Sequence, residues 1–226
     1  MRMRKKRHFE PRMEACGELL LVRGRPCLNL KEAAQNYRAL LDPEEVFGRR
    51  APLELEIGCG NGGFLLEKAR RHPEIDFFAV EISSNVALTA MERTRAAGFH
   101  NIRFLNIPAE ILPCYVKERS ISKIYLNFST PLPAKNREKQ RLTAPRFLHI
   151  YYDLLEEEGT IEQKTDSEPF FDYSLEQYAA NGFEVVSLTR DLHHSEFAAE
   201  NIITEYEGNF IAKGLPIFRA EVKKRG

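Results

Sequence analysis

The sequence predicts an α/β fold in which an open, mainly parallel β-sheet carries helices on both faces. Three observations support this fold: strand-like and helical segments alternate from Leu53 onward, a glycine-rich turn joins the first of these strands to a helix, and an acidic residue ends the second. Strands that alternate with helices pair in parallel because each helix returns the chain to the same edge. Strand-like runs lie near residues 53–57, 76–80, 102–105, 123–128, 159–164, 184–189 and 217–222.

The first strand runs directly into a glycine-rich turn that opens a helix. Gly58, Gly60 and Gly62 let the backbone turn tightly and approach a ligand closely, because they have no Cβ. The helix that follows, from about Phe64, points its N-terminal amides into the same space. The turn also matches the G-x-G-x-x-G pattern of dinucleotide-binding folds, through Gly58, Gly60 and Gly63.

Two carboxylates flank this turn and indicate the class of ligand. Glu56, two residues before the first glycine, would repel a pyrophosphate and attract the cationic amino group of S-adenosylmethionine, so we favour a methyl donor over NAD. Glu81 ends the second strand, where ribose hydroxyls are bound in such folds. A turn whose glycines only shape a loop is the alternative. Because carboxyl ends of parallel strands meet, we expect Glu56 and Glu81 to lie near Asn106 and Asn127.

Composition narrows the class of protein. The chain has 226 residues, 43% of them hydrophobic, and no apolar run approaches the ~18 residues of a membrane helix. Its four cysteines are scattered without metal-binding spacing, which predicts free thiols, no metal site and a cytoplasmic location. We expect one domain over residues 51–226, preceded by an extension over residues 1–50. The extension begins with a basic cluster, Arg2 to Arg7, that is either a flexible tail or an arm that binds a polyanion.

A proline-containing loop follows the fourth predicted strand. Its residues, Phe128 to Pro133, form a stiff loop that we expect over the reactive end of the cofactor. Basic residues come next, and they could bind phosphates of a large anionic substrate: Lys135, Arg137, Lys139 and Arg141. A charged loop without a partner is the alternative.

Several specific strings occur in one order along the chain, and together they resemble the bacterial tRNA (guanine-N7-)-methyltransferase family. The strings are Met-Arg-Met-Arg at the start, Glu56-x-Gly-x-Gly, Glu81, Asn-Phe-x-x-Pro-x-Pro from Asn127, Arg141-Leu142-Thr143, Lys164-Thr165-Asp166, Asp191-Leu192-His193-His194-Ser195 and Thr204-Glu205-Tyr206-Glu207. The resemblance implies a class I S-adenosylmethionine-dependent methyltransferase fold, Rossmann-like, with a seven-stranded sheet whose last strand is antiparallel. It also implies methyl transfer from S-adenosylmethionine to a guanine in the tRNA variable loop.

The resemblance assigns expected roles to residues of this chain. Cofactor ligands are expected at Glu56, Gly58, Gly60, Glu81, Asn106 and Asn127, and substrate ligands at Lys135, Arg141, Asp166, Thr204, Glu205, Tyr206 and Glu207. Three positions depart from the family pattern. Pro108 stands where the family has an acidic residue near the adenine, Thr130 where it has a catalytic aspartate, and Ala134 where it has a substrate-contacting lysine.

The departures leave the function open between related alternatives. N7 of guanine carries a lone pair and no proton, so the reaction needs alignment and no general base. A carboxylate would stabilise the positive charge that develops on the guanine, and without one at Thr130 we expect turnover slower by about 10²-fold unless Asp166 substitutes. The alternatives are a methyltransferase with a changed substrate and a non-catalytic paralogue that binds RNA or S-adenosylmethionine. The sequence leaves open whether the protein is a monomer or a homodimer.

Overall fold

The computed structural model describes residues 5–24 and 38–225. The chain divides into two compact units, Met1–Val116 and Lys117–Gly226. Arg2 and Arg4 of the predicted basic arm, and residues 25–37 of the predicted extension, lie outside the described residues.

Within its described residues, the first unit contains four parallel strands. They are β1 (Leu20–Arg23), β2 (Leu53–Ile57), β3 (Asp76–Val80) and β4 (Ile102–Asn106). Their order across the unit is β1-β4-β3-β2, so the glycine turn after β2 lies beside the end of β3. All residues of β2 and β3 are buried, as expected for strands covered on both faces.

The described residues of this unit also contain four helices and one 3₁₀ turn. The helices are α1 (Phe9–Ala15), α2 (Pro43–Phe47), α3 (Gly63–Arg71) and α4 (Ser84–Ala97), and the 3₁₀ turn is Ala109–Cys114. Helix α1 buries Phe9 and Met13, and Arg12 forms an ion pair of 2.7 Å with Glu92 of α4. Helix α1 of the N-terminal extension is therefore packed within the first unit, against α4.

The second unit contains four strands of mixed direction. They are β5 (Ile121–Asn127), β6 (Leu155–Thr165), β7 (Phe183–Thr189) and β8 (Phe218–Lys224), in the order β5-β6-β8-β7. Strand β6 is parallel to β5, whereas β8 is antiparallel to both β6 and β7. The helices are α5 (Pro145–Leu154), α6 (Glu168–Ala180) and α7 (Glu205–Ile211), and a 3₁₀ turn spans Lys135–Gln140.

The predicted α/β alternation and the antiparallel last strand are confirmed, but the count of seven strands is wrong. The described residues contain eight strands, and the additional one is Leu20–Arg23, a four-residue strand that pairs with β4. The segment Ala109–Cys114, after β4, forms a 3₁₀ turn instead of an α-helix, because Pro113 lies inside it and cannot donate a helical hydrogen bond. No helix in the described ranges is long and apolar enough to cross a membrane.

Candidate functional site

Three polar side chains lie at the carboxyl ends of neighbouring strands in the first unit. Glu56 is the penultimate residue of β2, Glu81 follows β3 directly, and Asn106 ends β4. Glu56 is 2% exposed and Asn106 is 3% exposed, so both are held inside the protein rather than in solvent. The predicted proximity of these three strand ends is therefore present within this unit.

The turn after β2 is shaped by glycines in the left-handed region. The φ angles of Gly58, Gly60 and Gly62 are 82°, 57° and 79°, where L side chains are strained. A Cβ built on Gly58 or Gly60 meets no atom within 4 Å, whereas one on Gly62 would lie 3.1 Å from Cβ of Ala90. The first two glycines thus border open space in which a ligand can approach the backbone, and the third lets α3 pack against α4.

Glu81 links this turn to the beginning of α4. Its Oε2 accepts a hydrogen bond from the amide of Gly60 (3.2 Å), and its Oε1 accepts one from the amide of Ser83 (2.7 Å). The amide of Asn106 donates to the Glu81 carbonyl (2.7 Å), and the Ser84 hydroxyl donates to Oδ1 of Asn106 (2.7 Å). Burial raises the pKa of Glu81, and the backbone hydrogen bonds only partly oppose that effect.

This set of groups fits S-adenosylmethionine better than a dinucleotide. Each carboxylate oxygen has two lone pairs, so Glu81 can accept ribose hydroxyls while it keeps its backbone bonds. The buried Glu56 carboxylate suits a cationic amino group and would repel a pyrophosphate. Pro108 is buried at the start of the 3₁₀ turn and brings no carboxylate to the position where the resemblance predicts one.

In the second unit, the loop after β5 has an unusual backbone. We call residues 128–134 the proline loop. Phe128 and Leu132 have φ angles of 49° and 46°, a region that residues other than glycine rarely adopt. The Phe128 amide donates to the carbonyl of Lys164 (2.8 Å), which ties the loop to β6. Thr130 lies between the two strained residues and is exposed.

A buried ion pair fixes the N-terminus of α7 to the end of β6. Lys164 is 1% exposed, and its ammonium donates to Oε2 of Glu207 (2.9 Å), Oδ1 of Asn201 (3.0 Å) and the carbonyl of Ile202 (2.9 Å). Glu207 is 0% exposed and also accepts a hydrogen bond from the Asn201 amide (2.6 Å). Thr204 and Glu207 form a capping box at the first turn of α7.

The same ion pair places Asp166 and Tyr206 at one end of the second unit. Asp166 follows β6 directly, and Tyr206 lies in the first turn of α7. The Tyr206 ring is 51% exposed and packs on Phe128, with 5.1 Å between ring centroids. Burial of its hydroxyl and the negative charge of Asp166 raise the pKa of Tyr206. An exposed aromatic ring can stack on a nucleobase, and a carboxylate beside the ring can accept hydrogen bonds from the base.

The basic residues after the proline loop fall into two groups. Lys135, Arg137 and Lys139 of the 3₁₀ turn are exposed and available to a polyanion. Arg141 is half-buried, and its guanidinium donates to the carbonyls of Pro131 (2.8 Å) and Leu132 (3.3 Å). Ala134, at the start of this turn, is exposed and carries no charge.

Sequence reasoning missed the group that supports α7. Lys164 and Asn201 contact Glu207 across 43 and 6 residues of chain, respectively. His193 Nε2 lies 3.3 Å from Oε1 of Glu207. No local signal marked this group, because Lys164 is the penultimate residue of β6 and follows the polar residues Glu162 and Gln163. Its need for a partner is evident only from its burial, since a buried ammonium requires one. Within the described ranges, no group of three or more His, Cys, Asp or Glu could hold a metal ion.

Comparison with known proteins places the chain among methyltransferases. The model of a family described as "Putative methyltransferase" matches residues 50–220. The tRNA (guanine-N(7)-)-methyltransferase of Brevibacillus brevis is 43% identical over 178 residues, which cover 79% of this chain and 83% of that protein. The protein of the same name from Geobacillus kaustophilus is 40% identical over 207 residues, 88% of this chain and 95% of the relative.

A solved structure gives an independent comparison of the fold. It is a SAM dependent methyltransferase from Aquifex aeolicus, with a TM-score of 0.54 and 13% sequence identity. The match covers 86% of this chain and 98% of that one. At this identity the likeness shows the α/β fold alone.

Proposed function

This chain belongs to the tRNA (guanine-N7-)-methyltransferase family, and from that we propose that it transfers a methyl group from S-adenosylmethionine to N7 of a guanine in the tRNA variable loop. The observation that carries the cofactor assignment is the buried Glu56 beside a turn whose Gly58 and Gly60 border open space. The match of the family model to residues 50–220 supports the proposed methyltransferase domain over residues 51–226.

The first unit is proposed to hold the cofactor. Glu56 would bind its cationic amino group, and Glu81 would accept hydrogen bonds from the ribose hydroxyls. Asn106 keeps Glu81 in place through the 2.7 Å bond to its carbonyl. When bound, the sulfonium cofactor supplies an electrophilic methyl group. We propose that Asn127, at the end of β5, also contacts the cofactor, as in the family pattern.

The second unit is proposed to hold the guanine. The N7 lone pair needs no general base, so the residues of this unit align the base and stabilise charge. Asp166 is the carboxylate that remains to stabilise the positive charge on the ring, since Thr130 offers only a hydroxyl dipole. Tyr206 is proposed to contact the base, together with its neighbours Thr204 and Glu205. Glu207 is proposed to hold this segment in place through its ion pair with Lys164.

Transfer RNA is the proposed macromolecular partner. The exposed Lys135, Arg137 and Lys139 offer three cations on one short turn, which suits consecutive phosphates. A tRNA substrate also supports a cytoplasmic location. The uncharged Thr130 and Ala134 favour a second candidate, a methyltransferase of the same fold whose RNA substrate has changed.

Transfer of labelled methyl from S-adenosylmethionine to unmodified bulk tRNA, followed by nucleoside analysis, tests the proposed function. We expect 7-methylguanosine to be the labelled nucleoside. A different methylated nucleoside would favour the second candidate. No product from a protein that still binds the cofactor would contradict the proposed activity.

The raised pKa of Glu81 predicts that cofactor binding weakens on acidification. The ionised carboxylate is the better acceptor for ribose hydroxyls, and in the free protein it becomes protonated at a pH above the ordinary glutamate value of 4.5. The cofactor should therefore bind with its full affinity above the raised pKa of Glu81. As the pH drops through that pKa, the affinity should fall by about tenfold. Calorimetry with S-adenosylhomocysteine between about pH 5 and pH 8 measures this change. In Glu81→Gln the affinity should be weaker and flatter with pH; an equal slope in the variant would assign the titration to another group.

A further inference from the structure

The proline loop needs an external support for its backbone. Phe128 and Leu132 both hold positive φ angles, 49° and 46°, although neither is glycine. Such a backbone persists only where surrounding contacts determine it. The two angles lie on either side of Thr130, so the support that holds them also sets the position of that residue.

Arg141 supplies contacts at the second of these strained positions. Its Nε donates to the carbonyl of Pro131 at 2.8 Å, and its Nη2 donates to the carbonyl of Leu132 at 3.3 Å. The two carbonyls flank the N–H and Cα of Leu132, whose φ is positive. A planar guanidinium with donors in a fixed fork can hold two neighbouring carbonyls at once, and an ammonium group cannot do so with the same geometry.

The Arg141 guanidinium is itself held in place by an aromatic ring. Its central carbon lies 4.3 Å from the centroid of the Tyr173 ring of α6, a cation–π contact. The Arg141 backbone is fixed as well, because its amide donates to the Glu138 carbonyl (3.0 Å) and its carbonyl accepts from the Ala144 amide (3.0 Å). Arg141 is therefore a preorganised bridge between α6 and the proline loop.

We infer that Arg141 is a positioning residue, which clamps the proline loop through two carbonyls so that Thr130 and its neighbours are presented to the substrate. This inference rests on the proposed function, and it gives Arg141 a role other than the phosphate contact expected from the sequence. The exposed Arg137, four residues earlier, is the contrasting case, since its guanidinium faces solvent and suits a phosphate.

Arg141→Lys separates a clamp from a phosphate contact, because it keeps the charge and removes the fork. We expect kcat for methyl transfer to fall by about tenfold or more, since a small misplacement of reacting groups is costly. The slope of log Kd for tRNA against log salt should stay unchanged. Hydrogen exchange of the peptide that contains the proline loop should become faster, and this readout needs neither tRNA nor activity.

Two variants serve as references for these readouts, and a third tests the contribution of the Tyr173 ring. Arg137→Ala should reduce the slope of log Kd for tRNA against log salt by about the value of one phosphate contact. This change gives the size of effect expected for a residue that binds RNA. Arg146→Lys alters an exposed arginine that stacks on Phe147 (4.4 Å), and it should leave loop exchange and kcat unchanged. Tyr173→Leu removes the ring behind the guanidinium and should accelerate loop exchange in the same direction as Arg141→Lys.

Unchanged loop exchange in Arg141→Lys, or a salt slope reduced as much as in Arg137→Ala, would overturn the inference. A protein without tRNA methylation would contradict the proposed function instead. Faster loop exchange in that same protein would still support the clamp, so the two failures are distinguishable.

Discussion

Replacing Lys164 by methionine is expected to lower the free energy of unfolding by about 3–5 kcal/mol. The substitution keeps the volume of the side chain but leaves the carboxylate of Glu207, which is 0% exposed, without its cation. It also removes the hydrogen bonds to Asn201 and to the carbonyl of Ile202. For a chain of this length the loss corresponds to a melting temperature lower by about 10 °C, measurable by calorimetry.

A double variant shows whether the cost comes from the unpaired charge. Lys164→Met combined with Glu207→Leu removes both charges, and we expect it to recover more than half of the lost stability. Asp172→Asn is the matched surface control, because it breaks an exposed ion pair with Arg190 (2.6 Å) and should change stability little. If Lys164→Met melted like the wild type, Glu207 would not depend on this lysine.

Introducing aspartate at position 130 is expected to raise kcat by about tenfold, which is less than the effect of a lone carboxylate because Asp166 already stabilises part of the charge. Positive charge moves onto the guanine as the methyl group is transferred, and a carboxylate stabilises it more than the hydroxyl of Thr130 does. The exposed position between the two strained residues can accept a longer polar side chain without overpacking. Single-turnover methylation of tRNA at saturating cofactor measures the change.

Thr130→Asn is the control for this prediction, because it has nearly the shape of aspartate without its charge. We expect no comparable gain from Thr130→Asn. An equal gain from both variants would attribute the effect to size or hydrogen bonding. No gain from Thr130→Asp, with cofactor binding preserved, would indicate that the proline loop serves a different substrate.

Strands β2 and β3 of the first unit were predictable because apolar residues recur along each of them between clear turn signals. Strands β2 and β3 occupy the predicted residues, 53–57 and 76–80. Strand β6 begins at Leu155 instead of near 159, because three exposed glutamates at its start resemble a loop in sequence. Strand β1 has only four residues, and its pairing with β4 depends on contacts across more than 80 positions of chain.

The candidate site was predictable only where a local pattern marks a residue. Glu56 and Glu81 lie at strand ends next to a glycine turn, so their positions follow from the order of elements. The roles of Arg141 and Glu207 do not follow in this way. Both sit in strings that look substrate-directed, yet the Glu207 side chain is directed to the buried Lys164 and that of Arg141 to the carbonyls of Pro131 and Leu132. These contacts depend on three-dimensional packing.

Two tRNA transcripts that differ only in the atom at position 7 of one purine test the proposed reaction most directly. One carries guanine in the variable loop and the other carries 7-deazaguanine there, which has carbon in place of N7. We predict that the first transcript accepts one methyl group per molecule and that the second accepts none. Equal methylation of the two transcripts would contradict transfer to N7 of that guanine.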